Sequence, residues 1–471
     1  MECIISCIKN TPTGKSYSAI CSDGSSISLI ECKSYSELSV GECATLGEDG
    51  YLLAADADNC NATKIRITEE VNNRIRLSIR KEAHQSRFTE LNKTTSLMWD
   101  KLSKAASLFL RKVLNGAPII IRFHNDIDGA CTAYAVYKGV LDFCNSDFKS
   151  EKQNMVWIMH KGVSYSPADA SSDLLIANNY SSVEKPLLLI MDFGTSDESN
   201  KGIPLVKDEF DIIWLDHHPI EDGFIGKELE HYINPWQFGM DSNYPAGFLA
   251  CSFVRSFSSI ETGYIERASL YGDYSKYYLP DGEKNDFAEI LDLITSDTKL
   301  ASSQQLGNLT PMEIDAILMN KEKREELANY AATRLSEVLY SAMRSIKKYS
   351  AGTSSIYVLD FEKVRDEESR YPLPGRFSSK LLDKIGESVT DAILIVHFGK
   401  YISIRVRDEV GDRLRILDII KNAKEHELGV EAGGGHKNAA SIKVVDEAVK
   451  KDVLKFLIDS IKLKESSFLS E

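Results

Sequence analysis

Short apolar runs alternate with Ser, Thr and Gly through the first 68 residues. Tyr17 to Cys21, Ser26 to Glu31 and Lys64 to Ile67 read as strands, with Asp23-Gly24 and Asp49-Gly50 as turns between them. A small antiparallel β domain, OB-like in pattern, is expected over residues 1–68. From Glu69 the apolar period lengthens. Leu97, Met98, Leu102, Ala105, Leu108, Phe109 and Val113 recur at three- and four-residue spacing, which predicts a helix that Gly116 stops. Residues 69–115 thus form a helical connector. Four apolar runs without period-two alternation follow: Pro118 to Phe123, Met155 to Met159, Leu187 to Met191 and Ile212 to Leu215. Helical stretches such as Ala130 to Phe143 separate them. That pattern predicts a parallel sheet covered on both faces, over residues 116–285. Asp286 to Tyr349 is helical throughout and predicts a linker over 286–350. Strand patterns resume at Ile356 to Leu359, Ala392 to Phe398 and Ile402 to Arg407, and Ala448 to Leu463 forms an amphipathic helix. A smaller α/β domain is expected over 351–471. No internal repeat or low-complexity segment interrupts the chain.

A length of 471 residues suits two or three domains, and 43% apolar with 27% charged residues is the balance of a folded, globular chain. The longest apolar runs, such as Pro186 to Met191, are too short for a bilayer. The first ten residues lack the basic start and long apolar stretch of a signal peptide, so a cytoplasmic location without membrane attachment is expected. The nine cysteines (Cys3, Cys7, Cys21, Cys32, Cys43, Cys60, Cys131, Cys144 and Cys251) include no CxxC pair. They read as reduced thiols acting as small buried apolar residues. A net charge of −14 argues against wholesale electrostatic binding of nucleic acid. It leaves room for local basic surfaces. One is Lys64, Arg66, Arg74, Arg76, Arg80, Lys81 and Arg87; the other is Lys400, Arg405, Arg407, Arg413 and Arg415. Each reads either as a phosphate-tracking surface or as a solvated mixed face.

Acids and imidazoles gather after the predicted strands. His124-Asn125-Asp126-Ile127-Asp128-Gly129 follows the first, Asp192-Phe193-Gly194 the third and Asp216-His217-His218-Pro219 the fourth. Gly272-Asp273-Tyr274 follows a helical stretch. Alternation along an extended segment places His124, Asp126 and Asp128 on one side. Carboxylates mixed with imidazoles, without thiolates, suit Mn²⁺ or a similar first-row ion. A lone Asp after a strand is commonly a helix N-cap. Four such clusters, each at a strand or helix end of one predicted sheet, point instead to a two-metal site. There, two cations about 3.5–4 Å apart activate water and neutralise a phosphate. Asp192 is the expected bridge. A last cluster, Gly433-Gly434-Gly435-His436-Lys437, lets backbone approach an anion closely, or forms a flexible loop before a helix.

These motifs resemble the DHH phosphoesterase superfamily: H-x-D-x-D-G at 124–129, Asp192, Asp216-His217-His218, Asp273, and GGGH at 433–436. Within it the chain looks most like archaeal RecJ-like exonucleases, over about residues 113–445. The resemblance implies a parallel-sheet DHH domain joined by helices to a smaller DHH-associated α/β domain that binds substrate. It implies that His124, Asp126 and Asp192 hold one Mn²⁺ and that Asp128, Asp192, His217 and Asp273 hold the other, with Mg²⁺ or Co²⁺ as substitutes. His218 would face the phosphate or support a ligand, and Asp216 would orient His217. Asp126, Asp128, Asp192, His217 and His218 become the catalytic set. Ser403-Ile404-Arg405 matches the family's S-x-R segment, which makes Arg405 a phosphate binder; Arg376, Gly434, Gly435 and His436 complete the substrate contacts. Ser441 stands where the family often has Gly, and the cysteine spacing excludes the N-terminal zinc finger of some archaeal relatives.

The implied activity is Mn²⁺-dependent exonucleolytic hydrolysis of single-stranded DNA or RNA. The alternatives are a phosphoesterase for small compounds (pyrophosphate, a cyclic dinucleotide or a very short oligonucleotide) and a replication scaffold partnering the GINS complex. An N-terminal domain and basic segments favour a longer substrate, and the intact ligand set disfavours a purely structural role.

Overall fold

The first ten residues carry apolar side chains and cysteines in a run that is buried almost throughout, and the strand they form holds several partners at once. β1 (Glu2–Thr11) pairs antiparallel with β2 (Gly14–Cys21), and β2 with β3 (Ser26–Leu29). The start of β1 also pairs with β4 (Cys43–Leu46), which pairs with β5 (Leu52–Ala54). The structure is a computed structural model that describes residues 1–12, 14–23, 26–29, 38–47, 52–55, 57–81, 86, 88–144, 154–278, 285–297, 300, 309–365, 371–435 and 438–468. Among these, β3 and β5 end the order β3-β2-β1-β4-β5, so the expected OB-like pattern is an antiparallel sheet that the described strands leave open. Cys3, Ile5, Tyr17, Ala19 and Leu52 fill its core.

Two helices follow, α1 (Ala57–Ser78) and α2 (Thr89–Leu114). The run Lys64 to Ile67, expected as a strand, lies inside α1. Ile67, Val71 and Ile75 are buried at four-residue spacing, a helical stripe that the short run concealed. The reading of nine free thiols also needs correction. Cys43 and Cys60 form a disulfide that ties β4 to α1. Seventeen residues separate them in sequence, and only the packing of the helix beside the strand brings their Cα atoms to 5.6 Å. Cys3, Cys7, Cys21, Cys131 and Cys251 are free and buried as expected, and Cys144 is half-buried.

The α/β alternation then unfolds as β6 (Ile119–His124), α3 (Ile127–Phe143), β7 (Met155–His160), α4 (Pro167–Ala177), β8 (Tyr180–Ser182), β9 (Leu187–Met191), α5 (Ile203–Val206), β10 (Asp211–Leu215), β11 (His231–Ile233), α6 (Ala246–Arg255), α7 (Gly263–Gly272), α8 (Asp286–Ser296) and α9 (Pro311–Met319). The sheet order is β11-β10-β9-β6-β7, and every neighbouring pair is parallel. Its registers set one row across the carboxyl ends. Phe123 pairs with Met191, Met191 with Leu215, and Leu215 with Ile233. His124, Asp192, Asp216 and Asn234, each one residue further on, therefore leave the sheet side by side. The strand β8 lies outside this sheet and pairs with β1, as in Ser182 opposite Cys7. That pairing places the N-terminal sheet and the parallel sheet in one compact unit, Met1–Arg324.

A buried ion pair holds β6, the strand beside the central β9. Arg122 of β6 donates from Nε and Nη2 to the Asp173 carboxylate of α4 at 2.8–3.0 Å, and from Nη1 to Asp169 Oδ1 at 3.1 Å. The Tyr165 hydroxyl donates to Asp173 Oδ2 at 2.8 Å. Sequence patterning gives no hint of this network, because one Arg in an apolar strand has no periodic signal.

The second unit, Glu325–Glu471, begins inside α10 (Lys321–Ser345). It contains β12 (Lys347–Ala351), β13 (Ser354–Asp360), α11 (Pro374–Gly386), β14 (Ala392–Phe398), β15 (Tyr401–Val406), α12 (Asp408–Leu414), α13 (Ile416–Glu425), β16 (Val430–Gly435), β17 (Ala439–Val444) and α14 (Lys450–Phe468). The sheet runs β12-β13-β14-β15-β17-β16. β12 cuts short the helical run expected to reach Tyr349. Gly433, Gly434 and Gly435 lie in β16, paired with Ile442, Ser441 and Ala440, rather than in a flexible loop. His436 and Lys437 lie outside the described residues. Among the described residues no helix is long and apolar enough to cross a membrane.

Asp173→Ala should destabilise the protein by about 3–5 kcal/mol, because it strands a buried guanidinium. Urea unfolding followed by circular dichroism measures this, and a loss below about 1 kcal/mol would show that the pair does not hold β6 in place.

Candidate metal centre

The strand end at β6 is built so that a helix starts almost on top of it. Asp126 is extended and caps α3, its Oδ1 accepting from Gly129 N at 2.9 Å. A Cβ on Gly129 would lie 2.2 Å from the His124 carbonyl oxygen, so only glycine allows this approach. The extended alternation therefore ends at Asp126. Asp128 sits in the first turn of α3 and points to a different neighbourhood from His124. His124 Nδ1 lies 2.7 Å from Asp126 Oδ2 and 3.9 Å from Asp192 Oδ2. His217 Nε2 lies 3.0 Å from Asp273 Oδ2, 3.4 Å from Asp192 Oδ1 and 3.9 Å from Asp128 Oδ2.

Three overlapping donor groups result among the described residues: His124–Asp126–Asp192, Asp128–His217–Asp273, and Asp192–Asp216–His217–His218, the first two made of the expected ligands. The two oxygens of Asp192 face one group each. Its backbone adopts φ 69° directly after β9, and its N–H donates to Leu215 O at 2.9 Å, which keeps the turn in line with β10. Asp192 Oδ2 is buried and receives no hydrogen bond. A buried carboxylate oxygen with no donor, beside imidazoles and further carboxylates, is the environment a hard divalent cation satisfies. All six expected metal ligands are thus gathered in one site.

The supporting contacts differ from expectation in one respect. The resemblance has Asp216 orienting His217, whereas in the structure it orients His218. Its Oδ1 accepts from His218 Nδ1 at 2.8 Å and from the His217 and His218 backbone N–H groups at 2.7 and 3.2 Å. The reason is local: a carboxylate one residue past a strand end folds over the next two amides. His217 is fixed by the Ser242 carbonyl, which lies 2.9 Å from its Nδ1 and leaves Nε2 toward the carboxylates. A backbone carbonyl 25 residues away carries no signal in a sequence. Asp128 is held by Ala246 N at 2.7 Å, Gly247 N at 2.9 Å and the Ser269 hydroxyl at 2.5 Å, at the N-terminus of α6. The Ala246-Gly247-Phe248 segment was the available clue to that contact, and a Cβ on Gly247 would crowd Asp128 Oδ1 at 2.8 Å.

Crowding shifts the protonation of these groups. Burial, and then the neighbouring Asp273 charge, push Asp128 up to about 7. Burial, followed by Asp126 and Asp128, raises Asp192 well above the usual carboxylate range. Burial opposes the charged forms of His124 and His217, but Asp126 beside the first and Asp273 and Asp192 beside the second outweigh it and raise both. Burial likewise works against ionised Asp126 and Asp216, yet His124 and His218 hold them low.

In the second unit, Arg405 Nε donates to Ser379 Oγ at 3.3 Å and Nη1 to the Ile404 carbonyl at 3.1 Å. Arg376 lies in the first turn of α11. Gly434 and Gly435 end β16.

No protein-family model matches the sequence. The chain is similar to an uncharacterized protein of Methanocaldococcus jannaschii, 23% identical over 468 aligned positions that cover 87% of this chain and 60% of that protein. It therefore spans about three-fifths of that relative's length. Among solved structures it is similar to the DHH domain of a protein described as a member of a ribosomal-protein family. The TM-score is 0.67 with 20% identity, over 86% of this chain and 99% of that one. A crystal structure of exonuclease RecJ bound to manganese aligns with TM-score 0.47 and 13% identity, over 77% of this chain and 94% of that one. The first of these structures establishes the fold: this chain has the DHH-domain architecture.

Two outcomes follow for the cation-free protein. Asp128, Asp192, His124 and His217 all bind protons more tightly folded than unfolded, so the contribution of the two aspartates to stability falls as pH rises above about 4 and that of the two histidines as pH rises above about 6.5. Asp126 and Asp216 act oppositely, but only at pH below about 4. Chelator-treated protein should lose stability between roughly pH 5 and 8, Asp128→Asn should flatten that decline, and Mn²⁺ should reverse it because ligands bind deprotonated. Denaturant unfolding across pH measures all three. Asp192→Asn should leave the chelated protein at least as stable as wild type while abolishing the Mn²⁺-induced rise in melting temperature. A normal rise in that variant would remove Asp192 from the ligand set.

Proposed function

We propose that this chain is a metal-dependent phosphoesterase of the DHH type that hydrolyses terminal phosphodiesters of single-stranded DNA or RNA. The observation that carries the reading is the shared carboxylate: Asp192 presents one oxygen toward His124 and Asp126 and the other toward His217. Asp192 is the proposed bridge between two Mn²⁺ ions, for which Mg²⁺ or Co²⁺ can substitute. A pair of such cations, when bound, supplies water activation and neutralises phosphate charge during in-line displacement.

The chain's own residues supply geometry. The Ser242 carbonyl fixes the His217 tautomer so that Nε2 is the ligating atom. Two amides and a hydroxyl hold Asp128 in one orientation, so no reorganisation accompanies cation entry. Asp216 grips His218 through Nδ1 and so orients its partly exposed ring, and His218 is proposed to face the substrate phosphate or support a ligand. Six acidic or imidazole ligands with no thiolate support an oxygen-seeking cation chemistry, which suits phosphate esters. Arg376, Arg405, Gly434, Gly435 and His436 of the second unit are proposed to bind substrate phosphates. The planar guanidinium of Arg405, tethered to Ser379, is suited to that role.

The test is digestion of end-labelled single-stranded DNA and RNA with Mn²⁺, reading which end is consumed. Asp192→Asn should lower kcat by more than about 100-fold, beyond the 10- to 100-fold cost of losing an outer contact. Arg405→Ala should raise KM roughly tenfold while bound Mn²⁺, counted by atomic absorption, stays unchanged. No turnover on either strand with Mn²⁺ bound would overturn the reading.

A further inference from the structure

Two exposed aromatic rings adjoin the proposed ligands without a use in the hydrolytic chemistry, one at the carboxyl edge of the sheet and one after α7. Trp236 follows β11, the strand next to the one that delivers His217, and is 41% exposed. Such a ring would be expected to turn inward. It is instead anchored at its edge. Nε1 donates to the His217 carbonyl at 3.2 Å and to Ser242 Oγ at 3.1 Å, and the backbone N–H donates to Asn234 Oδ1 at 3.0 Å. Asn234 is buried and also donates to the His218 carbonyl at 3.0 Å. The indole is thus fixed to the peptide of a proposed metal ligand and its neighbour.

On the other flank, Tyr274 follows the ligand Asp273 and is 45% exposed, with φ 52°. A bulky residue is uncommon in that conformation, and such residues concentrate at binding sites. The Tyr274 turn is tied to the Trp236 loop: Ser275 Oγ donates to Asn243 O at 2.7 Å and Lys276 N to Asn243 Oδ1 at 2.9 Å. Together these segments make one rim around His217 and Asp273. A site for pyrophosphate or other inorganic phosphate needs cations and donors on its rim. It has no use for rigid aromatic faces.

We infer that Trp236, with Tyr274 on the adjoining segment, is a stacking platform for the nucleobase attached to the phosphate under attack, so that the substrate is a base-bearing strand or dinucleotide. This rests on the phosphodiesterase reading above and narrows it. Stacking accepts any base, because each has a π face, and therefore selects nucleotides without selecting sequence. Binding energy from the base then positions the phosphate at the ligand cluster.

The test compares a fluorescein-labelled dinucleotide with its abasic counterpart, which has the same phosphate and sugar skeleton and lacks the bases. Binding to the full chain is measured by anisotropy in chelator. Wild type should prefer the base-bearing probe. Trp236→Ala should bind it roughly 5- to 150-fold more weakly, the range for one lost stack, with the abasic probe changed far less. Trp236→Phe, which keeps a ring, should retain most of the preference. An independent readout is available, since Trp99, Trp157 and Trp214 are buried and Trp236 is the exposed tryptophan. Unlabelled dinucleotide should quench tryptophan fluorescence saturably, and the abasic compound should not. Equal affinity of wild type for both probes, or an equal loss for both in Trp236→Ala, would overturn the platform. Base-selective binding without Mn²⁺-dependent cleavage would instead overturn the phosphodiesterase reading and leave the platform standing.

Discussion

The crowding of carboxylates into a buried edge of a parallel sheet is the constraint on which the rest of this molecule depends. Asp128, Asp192 and Asp216 are buried, Asp126 joins them at the rim, and Asp273 closes the site. Taking that much like charge out of water is costly unless cations, protons or hydrogen-bond donors compensate. Each remedy is visible. Imidazoles stand between the acids, backbone amides hold Asp128 and Asp216, and burial among like charges favours retained protons at Asp128 and Asp192. A bound cation would complete the compensation, and would so link the stability of the fold to the chemistry of the site.

The scaffold tolerates this because the rest of the sheet is apolar and rigid. Leu187 through Met191 are fully buried, and the Arg122–Asp173 pair fastens the neighbouring strand to α4. Rigid strands with in-register ends put His124, Asp192 and Asp216 side by side. The capped start of α3 contributes Asp126 and Asp128, the loop after β10 contributes His217, and the C-terminal end of α7 contributes Asp273. The supporting layer is largely backbone: the Ser242 carbonyl for His217, and the Ala246 and Gly247 amides for Asp128. The aromatic rim is anchored to the same layer. A change at Trp236 or Asn234 therefore reaches the centre through the His217 and His218 peptides.

What could be read from the chain was whatever repeats or clusters locally. Apolar runs without alternation announced the parallel sheet, and all four strands flanking the site fall where the runs stand. Acid and imidazole clusters after strand ends, with Asp273 after a helix, named the six expected ligands, and the fold brings them together because parallel strands send all their carboxyl ends to one edge. Where the local signal was short, the reading failed. Lys64 to Ile67 is four residues of a 22-residue helix, and four residues cannot distinguish a period of two from one of about 3.6. The strand β11 has only three residues and passed unnoticed.

The sequence by itself therefore determined the class of fold and which acids and imidazoles gather at the strand ends, since these depend on residue type and on spacing within single elements. Only the tertiary structure decided that Asp192 turns its two oxygens to two different groups, that the Ala246 amide holds Asp128, and that Cys43 meets Cys60. Those outcomes depend on register between strands and on groups brought together from 17 to 118 residues apart in the chain. Backbone amides and carbonyls are the same in every residue, so a contact made by them leaves no trace in the order of side chains.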